Sequence, residues 1–412
     1  MPLLLRMNEI KPTMCLAEDF YFGYKVVLPK GWQLTVQDIE YIRSKYPHQV
    51  ISIMIPRIDN LVDFEDRSFD IKSSMTIRKN IFSLFGQLRE DVLNQAELDE
   101  EKIANIRLEI IRNLTYIQSN PIKTAILTNE VNDEDYLACH TANVMYLSII
   151  IGEKIIDYIK QERNHSSSVN VTNAKSLTPL AMGAFFHDIG MIPLKRYWET
   201  NKCLSPREIS QIRRHPVWGY EMLREKIPSM AAAIVHNHHE NWNGSGYPRG
   251  LINDKINVYA RIVRVADAFC AATFNKKNKK GKSPTVVFHE MTRGKYREFY
   301  DPVITNALTQ VVQPFPIGLR LKMKTGEIAL VTSHNPLDTY NPKIIIAFDK
   351  QGRLMPKNVL KNAFYLNENE NLEILSSIQE NLDFLNAPVE NTIKAPRKNA
   401  QIPGKLLELV YP

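Results

Sequence analysis

The run from His236 to Pro248, His-Asn-His-His-Glu-Asn-Trp-Asn-Gly-Ser-Gly-Tyr-Pro, constrains this chain most, because about fifty residues earlier stands a second dense signature, His187-Asp188-Ile189-Gly190. A lone His-Asp pair is usually a surface pair or a helix cap. Three clusters of imidazole and carboxylate in order along one chain are different, and together they read as a dinuclear metal site. Such donors suit borderline transition metals such as Fe, Mn or Zn, and a carboxylate bridging two ions is a protein's route to a hydroxide for phosphoester attack. Asp188 is the natural bridge, since a carboxylate can offer one oxygen to each ion while imidazole normally binds only one.

In chain order the pattern is Tyr136 and His140, His187-Asp188-Ile189-Gly190, His215-Pro216, His238-His239-Glu240, Gly244 to Pro248, and Ala266-Asp267. On these residues the chain resembles the HD-GYP family, a branch of the HD phosphohydrolase superfamily whose members typically hydrolyse cyclic di-GMP. The likeness covers roughly residues 130 to 312. It implies that His140, His187 and Asp267 complete one metal's shell and His215, His238 and His239 the other's, with Asp188 shared. Some family members recruit a third metal through a Glu one turn before the first His; here Tyr136 stands there, so two ions, Fe or Mn, are expected. The resemblance also makes Asp188 and Glu240 the expected catalytic residues, and Gly246, Tyr247, Pro248, Lys276 and Lys279 the expected substrate contacts.

Two positions depart from the family pattern. The Lys that normally follows HDIG is Met191, and the second Asp of Ala-Asp-x-x-Asp is Cys270. Neither removes an expected metal ligand, but Met191 can supply neither charge nor a proton near the phosphate. The proton for the leaving 3′-oxygen is then open to Glu240, a water on the second metal, or a basic loop residue. A buried thiol at Cys270 can also simply fill space.

A chain of 412 residues exceeds one small core and argues for two or three domains. The net charge of +7 is modest, and much of it lies in Lys276 to Lys282, a run that reads either as a solvated loop or, following Asp267 so closely, as a phosphate contact. It lacks interleaved aromatics, which argues against nucleic-acid binding. Four scattered cysteines, Cys15, Cys139, Cys203 and Cys270, form no C-x-x-C pair and fit a reducing cytosol. Leu3-Leu4-Leu5 is interrupted by Arg6, Glu9 and Lys11 before it reaches signal-peptide length. No apolar run approaches the roughly 18 residues needed to span a bilayer. The expectation is a cytoplasmic protein without a membrane span.

The expected fold is mainly α: an HD-type helical bundle flanked by small β-rich modules at the two ends. Residues 1–75 read as the amino-terminal β module, with strands at Tyr24–Leu28 and Val50–Ile55 and a short helix capped by Thr35 that carries Ile39, Tyr41 and Ile42. Residues 76–120 read as a helical connector and 121–312 as the catalytic domain. Within it His140, Val144, Leu147 and Ile151 share one apolar helix face. Asn164 to Asn173 reads as a loop, and Ser205-Pro206-Arg207-Glu208 as a capping box opening a helix that delivers His215 and ends at Pro216. Strand-like runs at Gly318–Lys322, Glu327–Val331 and Lys343–Phe348 define a carboxy-terminal β module over 313–378, followed by a polar tail, 379–412.

The function implied is a metal-dependent cyclic di-GMP phosphodiesterase giving linear pGpG, with or without a further step to GMP, in a signalling role. The alternatives are a low-activity receptor that keeps the metals, or a hydrolase of another nucleotide such as cyclic GMP-AMP. Beside the dinucleotide, the expected partners are a second copy of the chain or a signalling protein.

Overall fold

Alternating burial builds the smaller unit. The computed structural model describes residues 2–22, 25–54, 68–120, 136–166, 177–194, 204–274, 281–335, 338–369 and 372–377. They fall into two compact units, one from the chain up to residue 68 with 282–289 and the segment after 313, the other from 69–281 and 290–312. In the first, β1 (Pro2–Arg6), β2 (Phe20–Phe22), β3 (Lys25–Leu28) and β4 (Val50–Met54) form two antiparallel pairs, β1 with β4 and β2 with β3. Leu3 lies opposite Ile53 and Leu5 opposite Ile51. All four are buried, because period-two alternation puts them on one face. Helix α1 (Val36–Lys45) starts at Thr35, whose hydroxyl accepts from the Asp38 amide while the Asp38 carboxylate accepts from Thr35. Ile39 and Ile42 are buried but Tyr41 points outward, half exposed.

After residue 313 come β5 (Arg320–Met323), β6 (Ile328–Ser333), β7 (Lys343–Phe348), β8 (Phe364–Tyr365) and β9 (Ile374–Ser377), an antiparallel sheet ordered β8-β7-β6-β5-β9. The two β-rich ends, expected as separate modules, share one core. Leu3, Leu5, Ile39, Ile42, Ile51 and Ile53 pack in the same cluster as Ile317, Leu330 and Ile345. A two-stranded ribbon is marginal in water, whereas each fully buried Leu or Ile adds roughly 1.5–3 kcal/mol, so the ends are more stable joined. The tail 379–412 lies outside the described residues.

The second unit is helical: α2 (Ser68–Leu93), α3 (Glu100–Ser119), α4 (Tyr136–Lys154), α5 (Ile156–Ser166), α6 (Thr178–Phe186), α7 (Pro206–Ile212), α8 (His215–Leu223), α9 (Ser229–Asn237), α10 (Val258–Thr273) and α11 (Pro302–Val311). Helix α4 is its centre, packed by α3, α5, α6, α10 and α11. Every residue from Leu137 to Gly152 is buried, so the single apolar face expected around His140 is in fact a helix buried all round.

Two local expectations are corrected. Helix α5 runs to Ser166, so the expected loop does not begin at Asn164; residues 167–173 lie outside the described residues. Ser205 and Glu208 form the expected capping box of α7, but that helix ends at Ile212, and Pro216 opens α8 instead of ending a helix. A first-turn amide has no helical acceptor, so a ring that lacks the N–H costs nothing there.

Candidate metal centre

Three histidines of the helical unit sit at helix ends and make the same bond. His187 caps the end of α6, His215 follows α7, and His238 caps the end of α9. Their Nδ1 atoms lie 2.8 Å from Ala184 O, 2.7 Å from Ile212 O and 2.8 Å from Val235 O, each carbonyl three residues back. Last-turn carbonyls have no helical partner, so the imidazole supplies one. A carbonyl can only accept, so Nδ1 donates and Nε2 is left as the inward-facing atom. That arrangement orients a metal-binding imidazole.

The inward nitrogens converge on Asp188. Its Oδ1 is 3.1 Å from His215 Nε2 and 3.7 Å from His238 Nε2. Its Oδ2 is 3.3 Å from His187 Nε2 and 3.7 Å from His140 Nε2. One oxygen therefore faces each pair of histidines. His140 Nε2 also stands 3.1 Å from Asp267 Oδ1, and His239 Nδ1 3.7 Å from Asp267 Oδ2. Six of these residues fall into two donor groups with Asp188 common to both: Asp188, His215, His238 and His239, and His140, His187 and Asp188. Asp267 borders both groups through His140 and His239.

The polar atoms here are incompletely satisfied without a cation. His187 Nε2 and Asp267 Oδ2 are buried with no hydrogen-bond partner, and the Nε2 atoms of His215 and His238 face each other at 3.1 Å. Leaving such groups bare inside a protein is costly, and nitrogen and carboxylate donors together suit a divalent ion. The cluster is a divalent-metal site by its donor chemistry.

Electrostatics pull the groups apart. Burial would raise the Asp188 pKa, but the neighbouring His187 charge and the histidine hydrogen bonds hold it well below the usual carboxylate range. Burial would lower His187, yet the charge of the adjacent Asp188 carboxylate outweighs it and lifts the group to about 9. His238 falls to about 4 through burial, with His187 and His215 adding to the repulsion. His239 is held well below its ordinary value by burial, then by His238, His215 and Arg264. Burial opposes ionisation of Asp267 too, but its bond to His140 keeps the pKa low.

Backbone approach explains two glycines. A Cβ on Gly190 would lie 2.2 Å from the His215 carbonyl oxygen, so glycine lets the His187-Asp188 turn press onto the start of α8. A Cβ on Gly246 would lie 2.2 Å from the Asn241 nitrogen and 2.5 Å from His239 O, so the loop folds directly back on the metal-side backbone. Tyr247 N donates to His239 O at 3.1 Å, and its ring stacks on the His239 ring with centroids 4.8 Å apart. Arg213 lies over the Tyr247 ring at 5.1 Å. Pro248, joined to Tyr247 by a cis peptide, is exposed at the tip.

Glu240, expected as a catalytic residue, takes backbone hydrogen bonds on both carboxylate oxygens. Its Oε1 accepts from Arg249 N at 2.7 Å and its Oε2 from Leu251 N at 2.9 Å. Both oxygens therefore help to fix the loop. Burial raises its pKa against those backbone bonds. Lys276 and Lys279 lie outside the described residues. Met191 is buried, its amide donating to Asp188 O at 2.8 Å. Cys270 is also buried, and desolvation with the nearby Asp267 charge keeps the thiol protonated. Tyr136 stacks near-parallel on His140, rings 5.7 Å apart, and burial with the Asp188 and Asp267 charges pushes its phenol pKa upward, so it stays neutral. His236 stacks on Tyr220 at 4.6 Å and belongs to neither donor group.

Sequence reasoning missed Arg264 and Asn241. Arg264 Nε donates to Asn241 Oδ1 at 3.0 Å, one turn before Asp267 on α10. The i, i+3 spacing of Arg264 and Asp267 was the signal available.

A family model described as HD domain matches residues 160–304. The chain is 26% identical over 184 residues to the cyclic di-GMP phosphodiesterase PA4108 of Pseudomonas aeruginosa, a match covering 43% of this chain and 44% of that protein. It is 31% identical over 176 residues to a cyclic di-GMP phosphodiesterase of Thermotoga maritima, covering 42% and 44%. A 3'3'-cGAMP-specific phosphodiesterase 2 of Vibrio cholerae is 30% identical over 129 residues, covering 30% of this chain and 24% of that one. Over residues 160–304 the helical unit therefore matches the HD domain, and there the chain is similar to cyclic dinucleotide phosphodiesterases. The matched stretch spans less than half the length of these curated relatives. Among the described residues no helix is long and apolar enough to cross a membrane.

Proposed function

We propose that the chain hydrolyses cyclic di-GMP to linear pGpG and onward to GMP, with two divalent ions, iron or manganese, held by His140, His187, Asp188, His215, His238, His239 and Asp267. The observation that carries this is the Asp188 carboxylate, which turns one oxygen to His215 and His238 and the other to His187 and His140. Ions held there would bring a water's pKa toward neutrality and offset charge on the phosphodiester.

The chain's own residues do the remaining work. The Nδ1 bonds to helix-end carbonyls keep the imidazoles oriented, and Asp267 holds His140. Tyr247, stacked on His239 with the Arg213 guanidinium over its ring, puts an aromatic ring and a cation side by side near the cluster, where a guanine base can lie against them. Lys276 and Lys279 take the substrate phosphates by charge. The place of action is the cytoplasm, where Cys15, Cys139 and Cys270, none of them in a disulfide, remain reduced.

Purified, metal-quantified protein incubated with cyclic di-GMP tests this directly, with 3'3'-cGAMP as comparator. The expected result is time-dependent pGpG, preferred over cleavage of the comparator. A protein carrying two ions that leaves both dinucleotides intact sinks the proposal. Changing Lys276 and Lys279 together to Ala should weaken dinucleotide binding while metal content stays, and unchanged affinity at low salt would remove them from the site. Met191 supports a second reading, a receptor with slow turnover: a buried thioether cannot protonate the 3′-oxygen. Tight binding without turnover would favour it.

A further inference from the structure

Helix α10 carries two buried arginines that are used differently. Arg261 is fully engaged: its Nη1 pairs with Asp301 at 2.7 Å and meets Tyr158 at 3.0 Å, its Nη2 pairs with Glu162, its Nε donates to Ile256 O at 2.8 Å, and its guanidinium lies over Trp242. Its function is to tie α5, α10 and the start of α11 together. Arg264, one turn later, is only half engaged. It is 5% exposed, its guanidinium packs over the Tyr300 ring at 5.2 Å, and Nε donates to Asn241 Oδ1 at 3.0 Å. Its Nη1 is buried and makes no hydrogen bond, and stands 3.9 Å from Asp267 Oδ2, an atom equally buried and equally without one.

An arginine does not shed its proton to escape such a position, so a buried guanidinium is retained only where its fork has something to hold. Here the fork spans two parts of the centre. One arm points at Asp267, whose other oxygen holds His140. The other arm grips Asn241, whose amide nitrogen reaches Ser245 Oγ at 3.0 Å inside the loop that folds back on His239. We propose that Arg264 is a positioning residue for the metal centre, registering the Asp267 carboxylate and the 241–248 loop on one guanidinium. This rests on the reading of the cluster as a metal centre.

The test uses the full chain stripped of metal, titrated with Mn²⁺ for affinity and with Co²⁺ for its visible absorption bands. Arg264→Met should lower Mn²⁺ affinity about 10–100-fold, the usual cost of losing a group that orients a ligand, and should alter the Co²⁺ bands. Arg264→Lys should fall between, because an ammonium keeps the charge but cannot span both partners. Asn241→Ala, which removes one arm's acceptor, should give a smaller loss in the same direction. Wild-type Mn²⁺ affinity and Co²⁺ bands in Arg264→Lys and in Asn241→Ala overturn the proposal, whether or not Arg264→Met folds. A wild-type protein that binds neither ion would instead defeat the metal-centre reading, leaving the two failures distinct.

Discussion

His187 and Asp188 are neighbours in sequence that meet again in space, the imidazole Nε2 lying 3.3 Å from the carboxylate Oδ2 across the turn between them. This contact lifts His187 to about 9, while burial takes His238 down to about 4. The two groups push stability in opposite directions on either side of the ordinary histidine pKa, about 6.5. The His187 contribution is complete below about 6.5 and is lost as pH rises through about 9. For His238 the unfolded chain binds the extra proton first, so stability falls as pH drops from about 6.5 toward about 4. Metal-free protein should therefore melt highest near neutral to slightly acid pH, with the melting temperature declining toward both pH 4.5 and pH 9. A melting temperature that climbs steadily across this range would contradict the His187-Asp188 assignment.

Bound metal must displace the His187 proton, so affinity should rise with pH up to about 9. Titration calorimetry at pH 7 in buffers of differing ionisation enthalpy should detect proton release on Mn²⁺ binding. Asp188→Ala should lose more metal than any single histidine substitution, because both donor groups contain Asp188. Elemental analysis should give close to two ions for the wild type, and equal losses in Asp188→Ala and His140→Ala would remove the bridge.

Gly190 and Gly246 should fail in different ways on substitution by Ala. At Gly190 the new methyl meets the His215 carbonyl, so the protein should lose metal as well as about 1–3 kcal/mol of stability. At Gly246 it meets the backbone of His239 to Asn241, so the loop should move, and dinucleotide affinity should drop further than metal content does. Metal analysis and binding titration on both variants separate these outcomes.

Glu240→Gln tests the loop-anchor assignment. An amide turns a donor toward backbone N–H groups that now meet two carboxylate oxygens, and losing a charged partner of this kind costs about 1.5–3 kcal/mol. The variant should show a raised KM with the shape of the pH–rate profile kept. Loss of the limb belonging to an essential acid, with KM unchanged, would assign Glu240 to proton transfer.

The side chains that the fold gathers around Asp188 stood out in the chain because imidazole and carboxylate clusters such as His187-Asp188 and His238-His239 are local patterns. Short-range signals were equally legible, among them the Thr35 and Ser205 caps and the strand at Lys343–Phe348, each fixed by neighbours within a few residues. Pro216 was misread because a proline's missing N–H looks the same at a helix end and a helix start; only the three-dimensional position of Ile212 and His215 decided it. Tertiary structure alone joined the two β-rich ends, since Leu5 and Ile345 are hundreds of residues apart and no periodicity links them. It likewise decided the engagement of Glu240 and the half-used fork of Arg264. Whether a carboxylate or guanidinium is free or held depends on which backbone amides and side chains the fold brings within about 3 Å, a distance that sequence spacing does not encode beyond a helical turn.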